Sequence, residues 1–291
     1  MIRRTASFVI VLALACGLAF PQGGAARGGE GGRATTAPPL PFEPTEELVY
    51  EAEFSKLLLR GVKIAEFTFK AARAPEPPVA PSDASAQTPA PQPPRLLFTG
   101  DVLSNGWFGK LFTIDFHFRV ESLVERAPFA VVRTTKLDEQ GKRVRKSDAV
   151  FDRAGKVVSW TEIDPNDPER QPRVVTSPLE GAAHDIVSAI YFLRTQTLTP
   201  GKTFELTLSD SGRVYKVPAR VSAERKPVKT VLGKVRVVRV DVELFGAGRP
   251  VEGEGKMALW VTDDEARVPV RAKLSSKIGA LDIKLKRATR G

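Results

Sequence analysis

Residues 184–194, HDIVSAIYFLR, gather an imidazole, a carboxylate, a hydroxyl and a guanidinium into a short stretch of chain. Such a set could serve as general base, orienting acid and anion clamp if a fold aimed the groups at one point. The spacing also has a plainer meaning. Ile186, Ala189, Ile190 and Leu193 follow the i, i+3, i+4, i+7 rule of an amphipathic helix. Asp185 then falls at the N-cap, Ser188 at N3, and Arg194 in the last turn, where a cation complements the helix dipole. A functional reading makes His184, Asp185, Ser188 and Arg194 a polar site at the rim of the barrel; a structural one has the helix cover an open sheet, with Asp185 as its cap and Arg194 paired to a neighbouring strand. The pattern favours that structural role over a catalytic one.

Other chemistry is sparse. The second histidine, His117, lies on the polar face of a strand pattern, LFTIDFHFRVES. Two histidines and one cysteine give no metal-ligand spacing. No GxSxG nucleophile motif occurs. The glycines of GAGRPVEGEG have the wrong spacing for a phosphate cradle, and no helix pattern follows them. Asp263 and Asp264 read as turn residues. DPNDPERQP has a proline where a calcium ligand should stand and lacks the sharp-turn glycine. The sequence therefore points to no catalytic residue, no cofactor and no metal, and to a protein that is not an enzyme.

The chain starts as an export signal does. Arg3 and Arg4 precede the apolar run ASFVIVLALACGLAF and the small residues PQGGAA, which places cleavage after Ala26 and makes residues 1–26 a leader. The run is about 15 residues, short of the ~20 a membrane-spanning helix needs, and no later stretch is longer. The expected location is the periplasm. LALAC partly fits a lipidation box, which would make the protein an outer-membrane lipoprotein acylated at Cys16. Apart from Cys16 there is no cysteine, so stability must come from the core. The formal charge is +10 over 291 residues. In an exported chain this suits anionic envelope components better than nucleic acid.

Residues 27–45, rich in Gly, Pro and Thr, read as a disordered tether, and residues 46–290 as a single β-rich domain. Within it the Pro/Ala-rich stretch 72–95 cannot bury enough apolar surface to order itself, and reads as an expanded hairpin loop. Elsewhere strand alternation dominates. Phe112, Ile114, Phe116, Phe118 and Val120 share one face; Ala65, Phe67 and Phe69 line another. The alternation slips at Val237–Val238, which predicts a bulge there. The fold class is mainly β: a strongly curved antiparallel sheet, or partly closed barrel, of about ten strands with one short helix packed against it.

Five segments together resemble the bacterial family named domain of unknown function 3108. They are LVYEAEF, HDIVSAIYFLR, LTPGKTF, VLGKVRVVRVDVEL and LWVTDDEARVPVRAKLSSKIGALDIKL. The most specific pieces are the Asp185, Ser188, Tyr191, Arg194 helix pattern and the Trp260, Asp263, Pro269 turn, the last at one residue longer spacing. The resemblance covers most of residues 46–287; the 72–95 insert and the long tether depart from it. It implies an exported, β-rich protein of the Gram-negative envelope and brings no reaction with it. The implied fold is similar to those of periplasmic lipoprotein carriers and their outer-membrane receptors, an analogy of fold alone.

The expected function is that of a non-catalytic binding or carrier protein. A sheet too curved to be filled by its own side chains leaves a cavity for a lipid-like ligand, with Phe112, Ile114, Phe116, Phe118, Tyr191 and Trp260 as wall candidates. The alternatives are an envelope interaction protein with a solid core, using the basic face of Lys142, Arg143, Arg145 and Lys146, and a hydrolase acting on envelope polymers.

Overall fold

The computed structural model of the protein describes residues 39–75, 94–104 and 115–289. The expected leader, Cys16, most of the tether, and the wall candidates Phe112 and Ile114 lie outside the described residues. Alternating apolar and polar residues drive nearly every element to strand. The first eight are β1 (Glu47–Lys56), β2 (Leu59–Arg73), β3 (Arg95–Ser104), β4 (Phe116–Glu125), β5 (Ala130–Gln140), β6 (Arg143–Asp152), β7 (Val157–Ile163) and β8 (Arg173–Pro178). A helix, α1 (Ile186–Thr195), follows. The remaining strands are β9 (Thr203–Asp210), β10 (Arg213–Thr230), β11 (Gly233–Val242), β12 (Gly255–Thr262), β13 (Pro269–Ser276) and β14 (Gly279–Thr289).

The fourteen strands of the described residues form one antiparallel sheet, ordered β8-β7-β6-β5-β4-β3-β2-β1-β14-β13-β12-β11-β10-β9. Every strand pairs with its sequence neighbour, except that β1 pairs with β14 and β8 does not pair with β9. The first and last strands therefore meet in the middle of the sheet, while its two edges, β8 and β9, are neighbours in sequence. The expected fold class holds. The strand count is higher than the expected ten or so; RVVTSP, bracketed by prolines, is a strand that alternation did not mark, and it pairs as β8 against β7.

The sheet curls until its edges approach, but no ladder closes it. At the β9–β10 turn, Gly212 has φ +76°, and a Cβ there would stand 2.8 Å from the Cβ atoms of Trp160 and Val175 on β7 and β8. The segment before α1 bridges the seam with main-chain bonds. His184 N donates to Thr207 O at 2.9 Å, Ser209 N donates to His184 O at 2.7 Å, and Val131 N donates to Ala183 O at 3.1 Å. The connector between the edge strands thus pairs with β9 on one side and β5 on the other.

Helix α1 lies inside the curl. Its start is as expected: Asp185 Oδ1 accepts from Val187 N and Ser188 N at 2.9 Å each, while Asp185 N donates to Ser188 Oγ at 3.0 Å, a reciprocal capping box. The helix joins two halves of the core. Val187 and Tyr191 pack with Phe98, Phe129 and Val158; Ala189 and Leu193 pack with Leu206, Val240 and Val261. It presses so close to the sheet that a Cβ on Gly100 would lie 2.6 Å from a Val187 methyl. Only glycine fits β3 at that point.

Two expectations change here. Phe42, placed by composition in the tether, is buried against Phe98, Phe129 and Tyr191, with ring centroids 4.9–6.5 Å apart. Residues just before β1 therefore belong to the core, because one aromatic ring offsets the ordering of a few residues. The bulge expected at Val237–Val238 falls on the partner strand. The β10–β11 register shifts between Val221 and Arg225, while both valines stay buried, one in each of two clusters. At the insert, β2 and β3 remain paired down to Arg73 and Leu96, and residues 76–93 lie outside the described residues.

Candidate functional site

Between α1 and the sheet lies a cavity of about 180 Å³. Its roof is the face of α1 that carries Ile186, Val187 and Ile190. Its walls come from strands spread across the sheet: Phe67 and Phe69 of β2, Phe116 and Phe118 of β4, Met257 of β12, Leu281 and Ile283 of β14. Alternation puts these residues on the inner face, and the curl keeps opposite walls apart. One end is ringed by Phe54, Ser276, Ile278 and Gly279, at the β1–β2 and β13–β14 hairpins. A smaller space of about 50 Å³ adjoins it and shares Val120, Lys136, Ile186, Asp210 and Leu244.

That junction holds the charged pair of the cavity. Lys136 Nζ lies 3.8 Å from Asp210 Oδ1, and Ser211 Oγ donates to Asp210 Oδ2 at 3.1 Å. Burial pushes the Asp210 carboxyl above the usual carboxylate range; the Lys136 ammonium and the Ser211 hydroxyl oppose this, and the Asp185 carboxylate adds to it. No feature of the sequence distinguishes Lys136 and Asp210, since each sits in an ordinary strand pattern. Only the folding of β5 against β9 across the seam joins them.

The wall candidates divide. Phe116 and Phe118 line the cavity. Tyr191 does not: it is turned to the other side of α1, stacked on Phe98 at 4.1 Å between ring centroids and 11° between planes. Its hydroxyl has no hydrogen-bond partner among the described residues, and burial raises its pKa far above the usual phenol value. Trp260 lies on the outer face, half-buried, with the guanidinium carbons of Arg239 and Arg271 at 5.6 and 5.3 Å from its ring. It fills a cross-strand row rather than a cavity wall: Arg239 and Arg271 are its register partners on β11 and β13.

The four polar candidates of the helix are buried, not at a rim. Asp185 caps α1 and also accepts from Thr134 Oγ1 at 2.7 Å. Ser188 completes the cap. His184 stacks on Phe192 at 4.1 Å, its Nδ1 has no partner among the described residues, and burial lowers its pKa to about 4 against a smaller opposing pull from Asp185. Arg194 is fully buried, with its guanidinium bonded to both oxygens of buried Glu46 and donating to the carbonyls of Ala266 (3.0 Å) and Pro41 (3.2 Å). These groups hold the connector, the helix and the segment before β1 together. Of the four, Asp185 lines the smaller space beside the cavity, next to Thr134 and Asp210.

His117 sits in an outer-face network, with Nε2 at 2.9 Å from Asp101 and Nδ1 at 2.9 Å from Glu139. On the basic face proposed from sequence, Arg143 pairs with Asp138 and Arg145 with Asp164. No helix among the described residues is long and apolar enough to cross a membrane.

Fold and cavity define a barrel-like antiparallel sheet, open along one seam and plugged by a helix. The chain belongs to the DUF3108 family, proteins of unknown function, whose family model matches residues 83–286. No curated protein matches it. Among solved structures it is similar to a β-barrel-like protein of domain of unknown function DUF1849 from Brucella abortus, with 10% identity and a TM-score of 0.52 over 84% of this chain and 97% of that one. A Bacteroides fragilis protein with a YmcC-like fold aligns over 86% of this chain and 98% of the other at 8% identity, with a TM-score of 0.28. The Brucella likeness extends to the fold alone.

Proposed function

We propose that the protein is an exported, non-catalytic binding protein that takes the hydrocarbon part of an amphiphile into the cavity beneath α1. The observation that carries this reading is the lining. A water placed there wants two to four polar partners. Phenyl rings and branched aliphatics supply none, so water is a poor occupant and an acyl chain a good one. The Lys136–Asp210 pair offers a donor and an acceptor to a polar group at the junction with the smaller space. The apparent leader and the basic charge support a role in the envelope, where such ligands are abundant.

The test is lipid extraction from purified protein followed by mass spectrometry, with a titration of a fluorescent fatty-acid probe. Co-purifying lipid and saturable binding of the probe are expected. An extract free of lipid together with no saturable binding would refute the proposal.

A further inference from the structure

The tip of the β1–β2 hairpin breaks two rules at once. Its turn consists of Leu57 and Leu58, with Lys56 paired to Leu59 across it. A two-residue hairpin turn whose first residue takes positive φ favours glycine there, because the backbone must enter the left-handed region. Leu57 takes that conformation, with φ 49°. Leucine is also normally buried, yet Leu57, Leu58 and Leu59 are 87%, 99% and 47% exposed. A side chain kept against both turn geometry and hydration points to a task outside the fold.

The surroundings indicate the task. Lys56 and Arg60 flank the leucines. The neighbouring β13–β14 turn, brought alongside by the Ser55–Ala280 register, adds Lys277 and Ile278, the latter 38% exposed. Of the nearby acidic residues, Glu51 pairs with Lys63, Glu53 with Lys284, and Glu254 with Lys277 itself in a highly exposed pair, and Lys56 too has an interaction within the protein. Phe54, Ile278 and Gly279 at this end also line the cavity. Apolar points ringed by cations therefore stand at one mouth of the apolar space.

We propose that this tip docks the protein on an anionic lipid surface, with Leu57 and Leu58 entering the acyl region and Lys56, Arg60 and Lys277 among the headgroups. A protein partner would need a pocket shaped to a narrow hairpin; a lipid layer accepts such a projection without one, and rewards both its leucines and its charges. Docking this way would bring the cavity mouth to the lipid. The proposal does not depend on the occupant of the cavity, since lipid extraction reports the interior and the experiment below reports the tip.

Leu58→Trp in the full chain places a depth probe at the tip. With phosphatidylglycerol vesicles brominated on their acyl chains, its emission, taken as the difference from wild type, is expected to shift to the blue and be quenched. The effect should weaken in high salt and with phosphatidylcholine. The double variant Leu57→Gly/Leu58→Asn puts glycine at the position that takes positive φ, so it should fold at least as well as wild type. Removing two inserted leucines should nevertheless cut the vesicle affinity of the tip at least about tenfold, read as loss of protection of the hairpin amides from hydrogen exchange on vesicle addition. Unquenched emission from position 58, or equal vesicle protection in the double variant, would overturn the proposal. So would a concentration-dependent dimer that the double variant abolishes, which would make a second copy the occupant.

Discussion

Arg194→Met tests the most deeply buried charge among the described residues. The guanidinium is wholly inaccessible to solvent and meets both oxygens of Glu46, itself buried, besides the carbonyls of Ala266 and Pro41. Methionine keeps the hydrocarbon stem in place over Phe42 and Tyr191, whose ring centroids lie 5.1 and 5.6 Å from the guanidinium carbon. It leaves the Glu46 carboxylate desolvated and alone. Removing one partner of a buried pair costs about 3–5 kcal/mol, a large part of the ~5–15 kcal/mol by which domains are stable. Replacing both partners, Arg194→Met with Glu46→Leu, removes the stranded charge and should recover at least about 2 kcal/mol of that loss. The backbone carbonyl of Glu46, which accepts from Ala71 N at 3.0 Å, is untouched by either change. Urea unfolding followed by the fluorescence of buried Trp160 measures all three variants of the cycle. A single variant costing under about 1 kcal/mol, or a double variant no more stable than the single, would refute the assignment of this pair as the tie between α1 and the segment before β1.

Three further outcomes are expected. His184 has its pKa lowered to about 4 by burial. Both states hold it neutral above its ordinary value, but between about pH 6.5 and 4 only the unfolded chain takes up the proton, so stability falls by about 3 kcal/mol across that window; His184→Phe should remove that part of the slope in urea titrations at several pH values. Gly100→Ala drives a methyl against Val187 and should cost about 1–3 kcal/mol, with partial recovery in Gly100→Ala/Val187→Ala by thermal unfolding. Ile190→Trp extends the roof of α1 into the cavity and should weaken fatty-acid-probe binding at least about tenfold without lowering Tm; undiminished binding would place the ligand elsewhere.

Much of the fold was legible because it rests on local rules. Period-two alternation marked the strands, and Asp185 with Ser188 marked the start of α1 before any packing was known. The cavity was half legible. Phe116 and Phe118 face it because alternation assigns faces, but alternation cannot tell which face is inner where both carry large residues. Trp260 shows this: its size suggested an interior, and two arginines across the strands accommodate it outside instead. Tyr191 failed for a different reason, since α1 is covered nearly all round and its apolar residues serve two core halves as well as the cavity. The partners separated by most of the chain were illegible in principle. Nothing near Arg194 in sequence announces Glu46, and nothing near Lys136 announces Asp210, because the curl of the sheet creates both encounters.

The pairing of β1 with β14 has a consequence for the order of events during synthesis. A chain made from its N-terminus exposes the second edge of β1 until the last strand, Gly279–Thr289, has emerged. Until then β1 can pair only with β2, and the run β1–β8 stays unjoined to the run β9–β14. That joint links strands from opposite ends of the sheet-forming chain, the kind of contact that is slowest to form.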